Sequence, residues 1–599
     1  MARYIGIDLG TTNSTVSISN LTIHGDIEAT TLRITQIDED GYNIIEDESL
    51  PSVLYIEENG PSYVGRYAKR MNSVYTERVV KESKRYIGED LKWVIDGENY
   101  YADKVASFFL DTLKKQVEKY YNGEKVDGAV ITIPANFHFQ QQQATRNAGV
   151  LAGFDKDKIH MIPEPTAALL DYLNEERKMV PAARRINLAN GAKNLMVFDL
   201  GGGTCDVSIL RVEEDIAGGI DIQELSISQY MELGGRDFDR EIMKMLFRKY
   251  LTEMNATQKS LVEQYGRSAV LNLGECFVDI AERAKKRFSS QVLASQKDYY
   301  EHADDFDALV YRELLPAAHL PAELVRMVTI TKAEYDAAIK ALLYKQFDTQ
   351  DKNIETPILH ALKDARLGEM SLDEIDGVFL VGGMTYYPTI QSRIYEIFNK
   401  RIKPIQSINP MLSVSRGAAI YHQQLGAIRY NTVDQLDESK FVTVPKGTII
   451  AATVPSNIYI DVAGGDPIAL LEKGQSLPFE KTFKDQFYVS GIDNGIAEIT
   501  TMRLALFTAP NAKAIRTKKL KEARIEFKKP VKKNSKLVLK VTCDEERDVK
   551  LRAWLEDDPS EMLEVYVGAN EYSQEEKHRL KEMHEAGNVI GKVLKGELI

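Results

Sequence analysis

Asp199-Leu-Gly-Gly-Gly-Thr-Cys-Asp206 constrains this chain more than any other stretch. The apolar run 194–198 before it has strand length, so the glycines begin where a strand ends. Three successive glycines let the backbone take left-handed angles and approach a ligand closely. Several amide N–H groups can then converge on an anion such as a phosphate. Asp199, Thr204 and Asp206 add two carboxylates and a hydroxyl, the oxygen set that suits magnesium and its waters. A glycine-rich hairpin with incidental acids fits the same residues, so the rest of the chain must decide. The N-terminus repeats the pattern: a strand over 4–7, a turn over 8–14, a strand over 15–18, with Asp8-Leu-Gly10 echoing Asp199-Leu-Gly201. Two copies suggest two related lobes, each offering a phosphate-facing hairpin.

The intervening pattern is mixed. Residues 101–121 read as a helix, with Val105, Phe108, Phe109, Leu113 and Tyr120 mostly on one face. A buried strand over 128–134 ends in a proline, which cannot donate to a sheet ladder. A helix over 140–153 follows, and 161–168 opens another. Glu164 stands there between two prolines, which fix where its carboxylate points; an acid placed for the helix dipole fits equally. Residues 177–193 read as a basic surface loop. A long helical stretch follows Glu232, and 279–290 is a charged helix whose Glu282, Lys285 and Ser289 share one face. A solvated face is the ordinary reading of such a run. Residues 291–327 look irregular. Residues 377–388 are again strand, glycine turn and helix start, and Ser415-Arg-Gly-Ala-Ala419 allows close helix packing. The order β then α favours mixed α/β lobes.

The pattern changes after Leu425, where 427–446 is polar and aperiodic, and a domain boundary falls there. Beyond Pro445, short β-like runs separated by turns suggest a small β-sandwich. Ser573-Gln-Glu-Glu576 is a capping box that starts a terminal helix. Gly587 and Gly591 each cost that helix about 0.5–1 kcal/mol relative to alanine.

At 599 residues the chain is too long for one core. Its net charge of −13 argues against a nucleic-acid partner, because phosphate binding needs clustered positive charge. The three cysteines, Cys205, Cys276 and Cys543, are far apart and lack metal-ligand spacing. Asp8 breaks the first apolar run, so no signal peptide is expected. No apolar run reaches the ~18 residues of a membrane span, and a cytoplasmic location without membrane partners is the expectation.

With these pieces placed, the chain resembles the seventy-kilodalton heat-shock chaperone family (DnaK-type) over nearly its whole length. The segment at 6–14 is similar to the family's first phosphate hairpin, 198–206 to the second, and Leu380-Val-Gly-Gly383 to its adenosine loop. Lys84-Arg-Tyr-Ile-Gly88 and Glu164-Pro-Thr-Ala-Ala168 resemble the segments of its catalytic lysine and lobe connection. The resemblance implies an actin-like (duplicated ribonuclease-H-like) two-lobed α/β ATPase over 1–428, closing on ATP or ADP with magnesium, and with potassium as a further candidate cation. A linker would cover 429–453, a peptide-binding β-sandwich domain 454–568, and a short helical lid remnant 569–599. Asp8, Asp199 and Asp206 would surround the hydrated cation. Gly10, Thr11, Thr12, Asn13, Gly201, Gly202 and Gly203 would face the phosphates. Lys84 would orient the attacking water, with Glu164, Asp199 and Thr204 completing the catalytic set. Gly234, Gly235, Glu282, Lys285, Lys286, Ser289, Gly382, Gly383 and Tyr386 would hold the nucleoside. No Gly-x-x-x-x-Gly-Lys-Ser/Thr run is present, so this is no P-loop enzyme.

In the β-domain the resemblance implies a groove for unfolded or extended polypeptide, with Ile460, Ala463 and Phe483 as candidate lining or, equally, sandwich core. J-domain co-chaperones and nucleotide-exchange factors are implied partners. Four departures stand out. Gln142 occupies the place of the family's relay arginine, and the linker 447–453 carries no acid. Tyr386 replaces an arginine over the adenine, and Ile599 leaves about one helix for the lid. These leave two other readings open: a nucleotide-switched adaptor for one partner, and an actin-like filament former or sugar kinase.

Overall fold

The computed structural model describes residues 3–597 except 23–25, 181–183, 189–190, 215–219, 229–230, 296, 317–319, 349–350, 366–367, 407–408, 410, 432–447, 452, 462–466, 490–497, 509–517, 520–522, 545–546, 548 and 568–571. The polar stretch read as a boundary therefore lies largely outside the described residues, as does Ala463.

Two sheets repeat one topology. The first contains β1 (Tyr4–Asp8), β2 (Asn13–Leu21), β3 (Ile27–Thr31), β4 (Gly128–Ile133) and β5 (Ile159–Pro163) in the order β5-β4-β1-β2-β3. Strands β1 to β3 form an antiparallel meander, and β4 and β5 add in parallel beside β1. Helix α1 (Ala102–Tyr120) precedes β4, α2 (Phe139–Leu151) separates β4 from β5, and α3 (Glu164–Arg177) follows. The second sheet contains β6 (Lys193–Leu200), β7 (Cys205–Glu214) and β8 (Ile220–Ile227). Helices α4 (Gly235–Glu253) and α5 (Gln258–Ala294) follow. After an excursion come β9 (Val310–Leu314), β10 (Met327–Thr331), β11 (Gly377–Val381), α6 (Pro388–Ile397) and β12 (Ile405–Gln406). The order β12-β11-β6-β7-β8 reproduces that of the first sheet, with β6 parallel to β11 and β11 to β12. The echo of Asp-Leu-Gly is thus a duplication of the lobe.

Buried strands β4 and β11 read as continuous apolar runs because both faces are covered. Helix α7 (Ser413–Asn431) packs between α3 and the first sheet. A Cβ on Gly417 would lie 1.7 Å from the Ala167 carbonyl oxygen, which is the close packing the small residues predict. Hydroxyl bonds Ser17–Ser415 (2.8 Å) and Ser19 to the Ala419 carbonyl (2.6 Å) fasten the helix to β2.

The stretch read as irregular, 291–327, holds β9 and ends where its hairpin partner β10 begins. Only Val328 and Ile330 of the two strands' side chains are buried, so the hairpin's apolar signal is faint. A second departure concerns β13 (Thr448–Ala451), within the span read as a linker. It pairs in parallel with β8 and extends the second lobe's sheet.

Beyond it, β14 (Ile458–Ile460), β15 (Ile468–Leu471), β16 (Phe479–Tyr488), β17 (Glu498–Leu504), β18 (Leu506–Thr508), β19 (Ala523–Lys532), β20 (Lys536–Cys543), β21 (Val549–Leu555) and β22 (Asp558–Glu564) form three small sheets. They share one core, to which Phe139 of α2 also contributes. Ile460 and Phe483, offered as groove lining, are only 1% and 2% exposed and belong to that core. Tyr459 and Phe507, paired across β14 and β18, stack on the other face at 5.6 Å between centroids.

The chain closes with α8 (Gln574–Ala586), capped by Ser573 and Glu576 as its sequence predicts, and α9 (Val589–Leu594). These helices sit on the first lobe. Leu580 joins that lobe's core, His584 stacks edge-on to Phe108 at 4.5 Å, and Tyr572 donates to Asp103 at 2.7 Å. Gly587 separates α8 from α9 where an added Cβ would lie 2.1 Å from the Ser62 carbonyl. Its role is close approach to the lobe. Among the described residues, no helix is long and apolar enough to cross a membrane.

Candidate active site

The two glycine hairpins meet at the floor of a cleft between the lobes. The first, between β1 and β2, carries Asp8, Gly10, Thr11, Thr12 and Asn13, and the second, between β6 and β7, carries Asp199, Gly201, Gly202 and Thr204. They interlock so closely that a Cβ on Gly202 would fall 1.7 Å from Thr12 Oγ1, and one on Gly203 2.7 Å from Thr11 Cγ2. The start of α4 closes against the second hairpin, with the Gly235 and Arg236 amides donating to the Gly201 and Gly202 carbonyls at 2.9 and 3.1 Å. Gly234 packs against Gly203 behind it. A third turn, after β11, turns at Gly382, whose φ of +83° favours glycine and whose Cβ would strike the Leu200 carbonyl at 2.4 Å.

Lys84 enters from a 3-10 turn at Ser83–Tyr86 and donates to Glu164 at the first turn of α3. Both side chains are about nine-tenths buried. Pro163 and Pro165 flank Glu164, so the rigid setting read from the sequence serves a buried ion pair. Burial pulls the Lys84 ammonium down, but Glu164 and then Asp8 outweigh it and hold its pKa above the usual value.

The acids show the opposite strain. Burial first, and then Glu164, push Asp8 and Asp206 up to about 7. The same two causes, with Asp206 and Asp8 adding, raise Asp199 well above the carboxylate range. Four carboxylates thus crowd around the single Lys84 cation, an arrangement that favours a divalent cation or protons. Polar atoms are also left waiting: Thr12 Oγ1, Thr15 Oγ1 and Asp206 Oδ2 are buried without a hydrogen-bond partner among the described residues. Among those residues, no three acidic, histidine or cysteine side chains converge closely enough to bind a metal directly. A cation would be held through its waters, as magnesium usually is.

The other end of the cleft is lined by α5 and the turn after β11. Glu282 pairs with Lys69 (3.1 Å) and Lys286 (2.7 Å). Burial pushes Glu282 up, yet Lys69 and Lys286 outweigh it and hold the carboxyl far below its usual range. Lys285 pairs with Asp239 at 2.8 Å. The shared face, ordinarily read as solvated but assigned to the nucleoside by the resemblance, is a cleft wall at Glu282 and Lys285. Val381, Gly383, Met384, Tyr387, Met411 and Val414 supply the apolar side. The cleft encloses about 1220 Å³, counting the solvent at its mouth.

Most sequence-predicted residues converge here, and a few do not. Ser289 turns its hydroxyl to the Lys285 carbonyl in its own helix. Tyr386 points its hydroxyl toward Asn409 (3.3 Å), and the neighbouring Tyr387 lines the cleft, its hydroxyl held by Asp336 at 2.7 Å. Gly203, Gly234 and Asp206 stand behind the lining. Sequence reasoning missed Met384, Arg236, Asp239 and Met411, ordinary residue types with no signal of their own. It also missed Asn136, whose amide donates to Asp206 Oδ1. A family model described as "HSP70: Hsp70 protein" matches residues 4–437.

Proposed function

We propose that this chain, which belongs to the Hsp70 protein family, binds and hydrolyses ATP in its interlobe cleft to regulate how the β-rich domain holds unfolded or extended polypeptide. Members of this family are ATP-dependent chaperones, and the reading goes beyond that to the residues of this chain. The observation that carries it is the interlocked pair of glycine hairpins that forms the cleft floor beside a buried Lys84–Glu164 pair and three further carboxylates. Such a floor suits a polyphosphate and a cation together, and little else needs both.

The roles follow from placement. The backbone amides of Thr11, Thr12 and Gly202 and the Thr11 hydroxyl bind phosphate oxygens, and the unpartnered Thr12 and Thr15 hydroxyls add donors. Lys84 offsets charge on the transferred phosphoryl group, and Glu164 holds its ammonium in place. Thr204 and Asp199 orient the attacking water, and the Asp199 carboxylate receives its proton. Asp8, Asp199 and Asp206 hold a hydrated magnesium ion, which when bound neutralises phosphate charge. The Glu282–Lys286 wall and Tyr387 contact the nucleoside. In this reading J-domain co-chaperones and exchange factors set the cycle, in the cytoplasm. Purified protein should hydrolyse ATP with magnesium and change rate when unfolded peptide is added; no turnover and no peptide binding would refute the reading.

One observation favours a second reading, an adaptor for a single partner. Ile460 and Phe483 lie in core, and Leu580 of α8 packs into the core of the first lobe. Pull-downs in ATP and in ADP separate the two: many unfolded chains mean a chaperone, one recurrent folded partner an adaptor.

A further inference from the structure

A buried ion pair joins the cleft to the β-rich domain. Glu224 lies on β8 and is 3% exposed, and Arg547 lies in the turn between β20 and β21 and is 2% exposed. Arg547 Nη2 donates to both Glu224 carboxylate oxygens, at 2.8 and 2.5 Å. The Thr453 amide and hydroxyl donate to Glu224 Oε2 at 3.1 and 2.7 Å. Arg547 Nη1 donates to the Ala135 carbonyl at 2.9 Å. Four parts of the chain therefore meet at one guanidinium–carboxylate pair: the second lobe, the first lobe, the residue two beyond β13, and the β-rich domain.

The contact reaches the cleft through one peptide. Asn136, next to Ala135, is 8% exposed and gives its amide to Asp206 Oδ1. That bond leaves Asp206 Oδ2 as the oxygen without a partner. The Ala135–Asn136 peptide is thus held on one side by the β-rich domain and on the other by a carboxylate of the cation site. A buried ion pair adds little net stability compared with an apolar contact of the same shape. What this one adds is a fixed position for the Ala135 carbonyl, because the planar guanidinium fork binds Glu224 and the carbonyl in one geometry.

We propose that Arg547, a residue of the β-rich domain, is a positioning residue of the ATPase site: by holding the Ala135 carbonyl beside the Glu224 pair, it fixes the Asn136 amide that orients Asp206. The inference rests on the ATPase reading of the cleft. Its consequence is that cation affinity depends on whether the β-rich domain is docked. Outer partners of metal-site carboxylates typically change metal affinity about 10–100-fold when lost, so the shift expected here is about tenfold.

The test uses the full chain and the magnesium concentration giving half-maximal binding of a fluorescent ADP. R547M and N136A should each raise that concentration about tenfold, leave magnesium-free nucleotide affinity unchanged, and combine without adding, since they act along one path. Because R547M strands a buried Glu224, the charge-free pair E224M/R547M is measured beside it. That variant keeps the domain docked by apolar contact and should show the same magnesium shift. An unchanged magnesium requirement in E224M/R547M, or full additivity of R547M with N136A, overturns the proposal. Absence of any magnesium-dependent nucleotide binding in the wild type overturns the ATPase reading instead.

Discussion

Acidification should release the C-terminal helices from the first lobe, and His584 sets how strongly. The ring is 6% exposed, packed edge-on to Phe108 and 3.2 Å from the Ser107 hydroxyl. Burial, with Lys115 nearby, pushes its pKa from 6.5 down to about 3. A base whose docked pKa is depressed contributes stability that is complete above its free pKa and is lost as pH falls toward the docked value. The window is therefore pH 6.5 down to 3. At pH 5 the undocked ring is almost fully protonated and the docked ring neutral, which costs about 2 kcal/mol of docking, or about thirtyfold in the equilibrium. Asp111, beside Lys115, acts the other way: it is pushed up to about 6, chiefly by burial, and so favours docking as pH falls. Lys115–Glu585, Arg579–Glu98 and Tyr572–Asp103 contacts also cross the seam. The His584 contribution is isolated by comparison with H584Q, which keeps size and hydrogen bonding and removes the titration. Hydrogen exchange of α8 and α9, corrected for intrinsic rates, should lose about thirtyfold more protection between pH 7 and 5 in the wild type than in H584Q. Equal pH dependence in the two proteins would refute the reasoning.

Three further outcomes are expected. K84A should bind ATP but slow single-turnover hydrolysis at least about 10²-fold, the scale of losing one preorganised electrostatic group; nucleotide affinity by calorimetry and a rapid-quench assay check both halves. G202V should fold and lose nucleotide binding, since its Cβ would occupy the place of Thr12 Oγ1, 1.7 Å away; thermal melting with and without nucleotide would show an unchanged midpoint. G417V should cost about 3 kcal/mol or more by forcing α7 from the Ala167 carbonyl, read by urea denaturation.

The glycine hairpins were legible because their chemistry is local. A strand, a glycine run and an acid at each end of that run follow one another directly, and the echo at Asp8 announced the duplication. None of the three glycines takes the left-handed angles expected of them, and it is packing against Thr12 and Thr11 that Gly202 and Gly203 serve. Glu164 was legible in place though ambiguous in role, since a helix-start acid and a lysine partner look alike until Lys84 arrives 80 residues away in sequence. The face of Glu282 and Lys285 was read correctly as a face, but whether water or a cleft meets it depends on a neighbouring lobe. Tyr386 and Tyr387 differ by one position, and the 3-10 turn before α6 decides which ring enters the cleft.

Alone, the sequence determined the mixed α/β lobes, the paired hairpins, the capping box of α8 and the acids of the cleft, all set by short-range pattern. Tertiary structure decided which edge β13 completes, that Ile460 and Phe483 face inward, and that α8 lies on the first lobe. It also decided that Arg547 meets Glu224 across 323 positions. The physical reason is one of range. Backbone propensity and side-chain alternation select an element and its apolar face, whereas the surface that buries that face, or the carboxylate that neutralises that charge, comes from chain hundreds of residues away.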